Sequence, residues 1–236
     1  MPLPSHQLTR YELDAAWEIH GGILTQALNL VEARILISFD EDPWTDSVVL
    51  NHLKAPSLVE IAFEIAETGG PGVFRPFESF IDHSQAATPR KLTLRGCPPP
   101  SAITDILLGY LSLTTLRILF RGYLATPYRA ANNFLSELTI GAHTSRDDAL
   151  APQLSEIYVG CEHKTSIDHA AYLRTLHSLP VHSLKTAELL AHLGAGLDTA
   201  TVSGLERLRQ DGLNLLLLEG YDTKVVMVGW TYAKPY

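Results

Sequence analysis

Apolar positions along the chain recur in one phrase, L-x-x-L-x-L. It is clearest at Leu113, Leu116 and Ile118, where Leu116-Arg-Ile-Leu-Phe-Arg121 alternates in the manner of a half-buried strand. Further copies are Leu30/Ala33/Ile35, Leu58/Ile61/Phe63, Pro89/Leu92/Leu94, Leu135/Leu138/Ile140, Leu154/Ile157/Val159 and Leu213/Leu216/Leu218. First-slot spacings are 28 (30 to 58), 31 (58 to 89), 24 (89 to 113), 22 (113 to 135) and 19 (135 to 154). They scatter around the 20–29 residues of a leucine-rich repeat, in which each unit is a strand plus a helix or turn. The Asn or Cys that closes the full phrase is met only by Cys97, so the repeats are irregular. The pattern predicts an α/β leucine-rich-repeat solenoid, with a curved parallel sheet on its concave side and helices and turns outside. An ordinary α/β domain with alternating strands and helices is the competing expectation.

In chain order, Thr9–Asn29 is expected to be a helix, interrupted at Gly21-Gly22. Strands are expected at Ala33–Ser38, Leu58–Glu64, Lys91–Arg95, Leu116–Arg121, Ser136–Ile140 and Ser155–Val159. Short helices are expected after Asp46 or Ser47 and around Phe77–Ile81. Another, capped by Ser101, carries Ile103, Ile106, Leu107 and Tyr110 on its buried stripe. Pro127–Asn133 predicts a turn or two of helix, and Ser145–Leu150 a short turn. Beyond Ser166 the texture predicts helices at Ser166–Ser178, Leu184–Leu193 and Thr199–Gln210. The last of these ends at Asp211-Gly212, before strands at Leu213–Leu218 and Val225–Val228. The chain thus divides into an N-terminal helix or cap (1–29), leucine-rich repeats (30–165) and a helical, irregular tail with a C-terminal cap (166–236).

In each expected strand the residues between the apolar slots share the opposite face. They form three columns: Glu32, Glu60, Lys91, Thr115, Glu137, Glu156; Arg34, Ala62, Thr93, Arg117, Thr139, Tyr158; and Leu36, Glu64, Arg95, Leu119, Gly141, Gly160. Lys91, Arg95, Arg117 and Arg121 gather on the middle strands, flanked by Glu60, Glu64, Glu137 and Glu156. Solvated charges that pair weakly, at about 0–1 kcal/mol each, account for this arrangement without a ligand. The functional alternative is a concave binding face of Lys91, Arg95, Thr115, Arg117, Leu119, Arg121 and Tyr158, suited to a protein target with an acidic segment. Leu119 and Tyr158 are expected to be exposed there, and Tyr is enriched at binding hot spots.

Composition narrows the partners. The chain has 236 residues, 46% hydrophobic and 19% charged, with a formal net charge of −8. This is ordinary globular composition, and the negative balance disfavours phosphate-neutralising nucleic-acid binding. No apolar run approaches the ~20 residues that span a bilayer, and Met1-Pro-Leu-Pro-Ser-His6 is not a secretory signal. Two cysteines, Cys97 and Cys161, are too few for a disulfide framework, so a reducing interior, cytoplasm or nucleus, is expected.

Catalytic chemistry has no motif here, and no enzyme activity or cofactor is expected. Cys161-Glu-His163 with His169 is the only metal-like cluster, and it lacks the paired spacing of zinc sites. Gly194-Ala-Gly196 is not a dinucleotide fingerprint. Asp147-Asp148 and Glu41-Asp42 are adjacent carboxylates, ordinarily solvated. An α/β enzyme whose residues meet only on folding remains an alternative.

Pro56-Ser-Leu-Val-Glu-Ile61, Pro152-Gln-Leu-Ser-Glu-Ile157 and Leu205-Glu-Arg-Leu-Arg-Gln-Asp-Gly-Leu-Asn-Leu215 resemble the leucine-rich-repeat region of fungal F-box proteins. The resemblance spans roughly residues 25–220. It implies a substrate-recruiting module of a Skp1–cullin ubiquitin ligase, whose repeats hold the target. A Leu-Pro-x-Glu-type F-box segment is not found near the N-terminus, and Trp17 with its neighbours does not supply it, so docking to Skp1 lacks its element. The expectation is then either a fragment of a longer F-box protein or a relative that serves as an interaction scaffold without a ligase.

Overall fold

The computed structural model describes residues 7–13, 29–37, 55–65, 89–96, 103–104, 107–108, 110–121, 126–141, 152–161, 167–179, 183–191 and 197–219. Eight strands form one open, all-parallel sheet: β1 (Arg10–Leu13), β2 (Glu32–Ile37), β3 (Glu60–Ile65), β4 (Lys91–Gly96), β5 (Thr115–Phe120), β6 (Glu156–Cys161), β7 (Thr186–Ala191) and β8 (Asn214–Glu219). Their order in the sheet is their order in the chain. Among the described residues each strand therefore pairs only with its sequence neighbours, and the strand order has no switch point at which it reverses.

The same backbone device opens almost every strand. The carbonyl of Thr9 accepts two N–H groups, those of Val31 and Glu32 (2.8 and 3.1 Å). Val31 accepts from Val59 and Glu60, Val59 from Arg90 and Lys91, and Arg90 from Thr114 and Thr115. Thr114 accepts from Ser155 and Glu156, and Ser155 from Lys185 and Thr186. Two hydroxyls reinforce this lead-in ladder: Thr114 Oγ1 donates to the Arg90 carbonyl (3.0 Å) and Ser155 Oγ to that of Thr114 (3.1 Å). Shared carbonyls at equivalent places show that the units repeat in structure even where their sequences differ.

Register turns the apolar slots into columns. Tyr11, Ala33, Ile61, Leu92, Leu116, Ile157, Ala187 and Leu215 pair in succession, and so do Leu13, Ile35, Phe63, Leu94, Ile118, Val159, Leu189 and Leu217. Leu116, Ile118, Ile157 and Val159 are fully buried in one core, which also takes in Leu30, Leu58, Leu113 and Leu154 from the first slot. Burial of each such side chain contributes about 1.5–3 kcal/mol. The helical turns at 103–104 and 107–108 add Ile103 and Leu107 to this core, as their stripe predicts.

Three helices among the described residues back the sheet: α1 (Thr126–Gly141), α2 (His169–Ser178) and α3 (Thr199–Gln210). Asp168 caps α2 by accepting the Ala171 N–H (3.0 Å), and Asp198 caps α3 by accepting the Thr201 N–H (2.7 Å). Helix α2 is tied to α1 by polar contacts: Thr175 Oγ1 lies 2.9 Å from the Leu135 carbonyl and 3.1 Å from Thr139 Oγ1, and the Asp168 N–H donates to Asn132 Oδ1 (3.0 Å). Helix α3 comes close to α2 at Gly204, where a Cβ would stand 2.5 Å from Leu173 Cδ2. No helix among the described residues is long and apolar enough to cross a membrane.

Four sequence expectations are corrected. Ser136–Ile140 is not a strand but the end of α1. Ala131, Phe134, Leu135 and Leu138 are buried at helical spacing, while Ser136 is exposed. L-x-x-L fits one face of a helix as well as it fits a repeat phrase. The supposed units of 22 and 19 residues are therefore a single unit (113 to 154) whose outer element is α1, pinned to β5 by Phe134 against Phe120 at 5.9 Å.

Leu184–Leu193 is not a helix; it contains β7. Ala187, Leu189 and Ala191 are buried on one face and Leu190 on the other. Thr186 and Glu188 begin a polar alternation, but Leu189-Leu190-Ala191 is buried on both faces and breaks it. In Thr9–Asn29, Arg10–Leu13 is strand β1, with Tyr11 in a core slot, rather than helix. The late copy is also shifted by one residue: Leu215 and Leu217, not Leu216 and Leu218, continue the core columns. Within the leucine run the register is set by the turn at Asp211-Gly212, where Gly212 takes φ +99°.

The sheet runs from Arg10 to Glu219 across the expected segment boundaries at residues 29/30 and 165/166. The expected helices at 47–53 and 77–81, the turn at 145–150, the strand Val225–Val228 and the pairs Glu41-Asp42 and Asp147-Asp148 lie outside the described residues.

Candidate binding surface

The residues between the core slots form the second face of the sheet, here the ladder face. Its first column reads Arg10, Glu32, Glu60, Lys91, Thr115, Glu156, Thr186, Asn214. The next reads Glu12, Arg34, Ala62, Thr93, Arg117, Tyr158, Glu188, Leu216, and the third holds Leu36, Glu64, Arg95, Leu119, Gly160, Leu190 and Leu218. Three predicted members are absent. Glu137, Thr139 and Gly141 belong to α1, where Glu137 accepts a hydrogen bond from Thr104 Oγ1 (2.9 Å).

The centre of the face is a connected group on β5 and β6. Parallel pairing places Thr115 beside Glu156 and Arg117 beside Tyr158. Thr115 Oγ1 donates to Glu156 Oε2 (3.1 Å), and the Tyr158 hydroxyl donates to the same oxygen (3.2 Å). The Arg117 guanidinium lies over the Tyr158 ring, 4.9 Å from its centroid, a cation–π arrangement. Burial and the Glu156 carboxylate push the Tyr158 phenol above its ordinary range, and the Arg117 charge draws it partly back.

Of the seven predicted binding residues, the structure gathers Thr115, Arg117 and Tyr158 into this group. Lys91 stands on β4 at the surface and pairs with Glu60 at 3.5 Å, so its charge is locally answered. Arg95, on the same strand, is buried at 8% exposure. Arg121 follows the end of β5 and is half-buried, its N–H donating to the Gly96 carbonyl (3.0 Å).

Leu119 is the correction. Alternation predicts it to be exposed, yet it is 2% exposed and clusters with Leu190 and the partly buried Leu218. Leu190, Glu188, Leu216 and Leu218 are ladder-face residues outside the expected columns, because β7 is a strand where the pattern predicts a helix and β8 is shifted by one residue from the expected register. The available signal was Leu184-x-x-Ala187-x-Leu189, the same phrase with Ala in its second slot.

Among the described residues no group of three or more His, Cys, Asp or Glu side chains is arranged to hold a metal ion. Cys161 is a buried core residue at the end of β6, and His169 is buried in the first turn of α2; His163 lies outside the described residues. A cleft of about 290 Å³ opens between Leu176, Leu184, Leu208 and Leu213 beside Gly212. Gly212 occupies the place of a first-slot leucine, and a Cβ there would meet nothing within 4 Å. The cleft is thus a gap in the leucine column.

No protein-family model, curated protein or solved structure matches the chain.

Proposed function

We propose that the chain is a leucine-rich-repeat solenoid that binds another protein on the concave face of its sheet. The observation that carries the reading is the Thr115–Glu156–Tyr158–Arg117 group on the two middle strands of an uninterrupted parallel ladder. A ladder of neighbouring strands, ~4.8 Å apart, offers a continuous surface on which an extended partner makes many contacts. Tyr and Arg are the residue types that dominate such interfaces energetically. In the resemblance to fungal F-box proteins, the bound protein is a target for ubiquitination. That part of the proposal rests on the resemblance alone, and direct binding of purified Skp1 to the chain tests it.

The test of the binding face compares proteins captured by the wild-type chain with those captured by Arg117→Glu, Tyr158→Ala and Arg174→Glu. Arg174 lies on α2, away from the ladder face. Proteins that are retained by Arg174→Glu and lost with both ladder-face variants support the proposal. Identical capture by all four chains overturns it.

A further inference from the structure

Cations on the ladder face are mostly engaged. Arg10 meets Glu32 at 3.4 Å and Lys91 meets Glu60 at 3.5 Å, and Arg34, Arg95 and Arg121 each have a partner as well. The partner of Arg117 is the Tyr158 side chain and not a carboxylate. Arg117 is half-buried, and among the described residues no carboxylate lies within salt-bridge distance of it. Among the described residues its buried Nε has no hydrogen-bond acceptor. The neighbouring carboxylate, Glu156, is committed to the hydroxyls of Thr115 and Tyr158. The stack on Tyr158 fixes the plane of the guanidinium without supplying the anion that its fork of donors fits.

The apolar side of the face lies toward β8. Leu119 and Leu190 are buried and the partly buried Leu218 packs against them, and Leu216 is 36% exposed. Arg117, Tyr158, Glu188 and Leu216 follow one another in a single column. Three strand spacings separate Arg117 from Leu216, about 14 Å at ~4.8 Å per strand. An extended segment crosses that distance in about four residues.

The geometry points to Arg117 as the receptor for one carboxylate of an extended protein segment, with Leu216 and Leu218 taking an aliphatic side chain about four residues away. This inference rests on the concave-face reading above and names the chemistry of its partner. A single carboxylate is favoured over an acidic tract. The chain's net charge of −8 repels polyanions at long range, whereas one carboxylate engages an oriented guanidinium at short range.

Selection of random twelve-residue displayed peptides on the purified full chain tests it. The expected result is enrichment of Asp or Glu with Leu, Ile, Val or Met about four residues away. Binding of a selected peptide should weaken about tenfold or more with Arg117→Gln and less with Arg117→Lys. Leu216→Ser should abolish the aliphatic preference alone. Circular dichroism of each variant confirms that it is folded, and the two replacements at Arg117 keep the test informative if one of them is not. Peptides that lose binding to Tyr158→Ala but show no acidic preference overturn the carboxylate assignment and leave the concave-face reading standing. Peptides indifferent to Arg117, Tyr158 and Leu216 alike, or no selected peptide, overturn both.

Discussion

Leu119 and Leu190 pack together from strands β5 and β7 across the intervening β6, where Gly160 holds the register position between them. A residue with no side chain lets its two neighbours meet on a face where alternation predicts solvent. This apolar contact makes the ladder face partly a second core. Leu190→Ala is expected to cost about 2–5 kcal/mol, measured as a shift in the urea midpoint at unchanged slope. A change within about 0.5 kcal/mol, as at an exposed site, would show that the contact is not formed.

The register of β8 is tested by neighbouring leucines. Leu215 is 6% exposed and Leu216 36%, although both lie in an unbroken run of four leucines. Leu215→Ala should destabilise the chain by about 2–5 kcal/mol, while Leu216→Ala should stay within about 0.5 kcal/mol. The reverse ranking would restore the register in which Leu213, Leu216 and Leu218 fill the slots.

The middle of the sheet is legible in the sequence because its strands keep one polar face. Glu60/Lys91/Thr115 and Ala62/Thr93/Arg117 pair as alternation predicts, whereas Thr115 and Arg117 meet Glu156 and Tyr158 rather than the expected Glu137 and Thr139, which lie in α1. Legibility fails for three physical reasons. A helix that buries every third or fourth residue counterfeits the phrase at Leu135 and Leu138. A strand whose second half is buried on both faces, as at Leu189–Ala191, loses its alternation there. A run of leucines such as Leu215–Leu218 carries no register, which the preceding turn must supply. At the candidate site, Arg117 and Tyr158 share an expected column, but their direct pairing depends on Ser136–Ile140 being helix and not strand, and the burial of Leu119 depends on Gly160 and on β7 being a strand.

Asp198 caps α3 through the N–H and the hydroxyl of Thr201, and these bonds hold its carboxyl below the ordinary value of 3.8. A lowered folded-state pKa means that the unfolded chain binds the proton first as pH falls. The cap's contribution is therefore fully present above the ordinary carboxylate range and is lost as pH drops through the folded value. Asp198→Ala should unfold at lower temperature than wild type at pH 7, and the gap should narrow on acidification. An equal gap at every pH would mean that the charge does not matter to the cap.

Tyr172 is fully buried in α2, and among the described residues its hydroxyl has no hydrogen-bond partner. Burial, with Glu188 adding to it, pushes its phenol far above the ordinary range. An unmet buried hydroxyl costs about 1–3 kcal/mol, and Phe has the same shape without it. Tyr172→Phe should leave the protein as stable or more stable in urea unfolding. A clear loss of stability would reveal a partner for the hydroxyl.

Tyr158 reports on the group around it, because its two neighbours act on its phenol in opposite directions. Glu156 raises the pKa by its charge and by accepting the phenolic hydrogen, and Arg117 lowers it by stabilising the phenolate. Removing each charge therefore moves the titration oppositely. Arg117→Gln should shift it further upward, and Glu156→Gln should bring it down toward the ordinary tyrosine value of 10.0. NMR of chains with 13C-labelled tyrosine, assigned by comparison with Tyr158→Phe, reads both shifts directly. A Tyr158 titration unmoved by either change would separate the phenol from both charges, and the group would no longer be a single electrostatic unit. Opposite shifts would show that both charges act on the Tyr158 phenol and that the three side chains form one electrostatic unit.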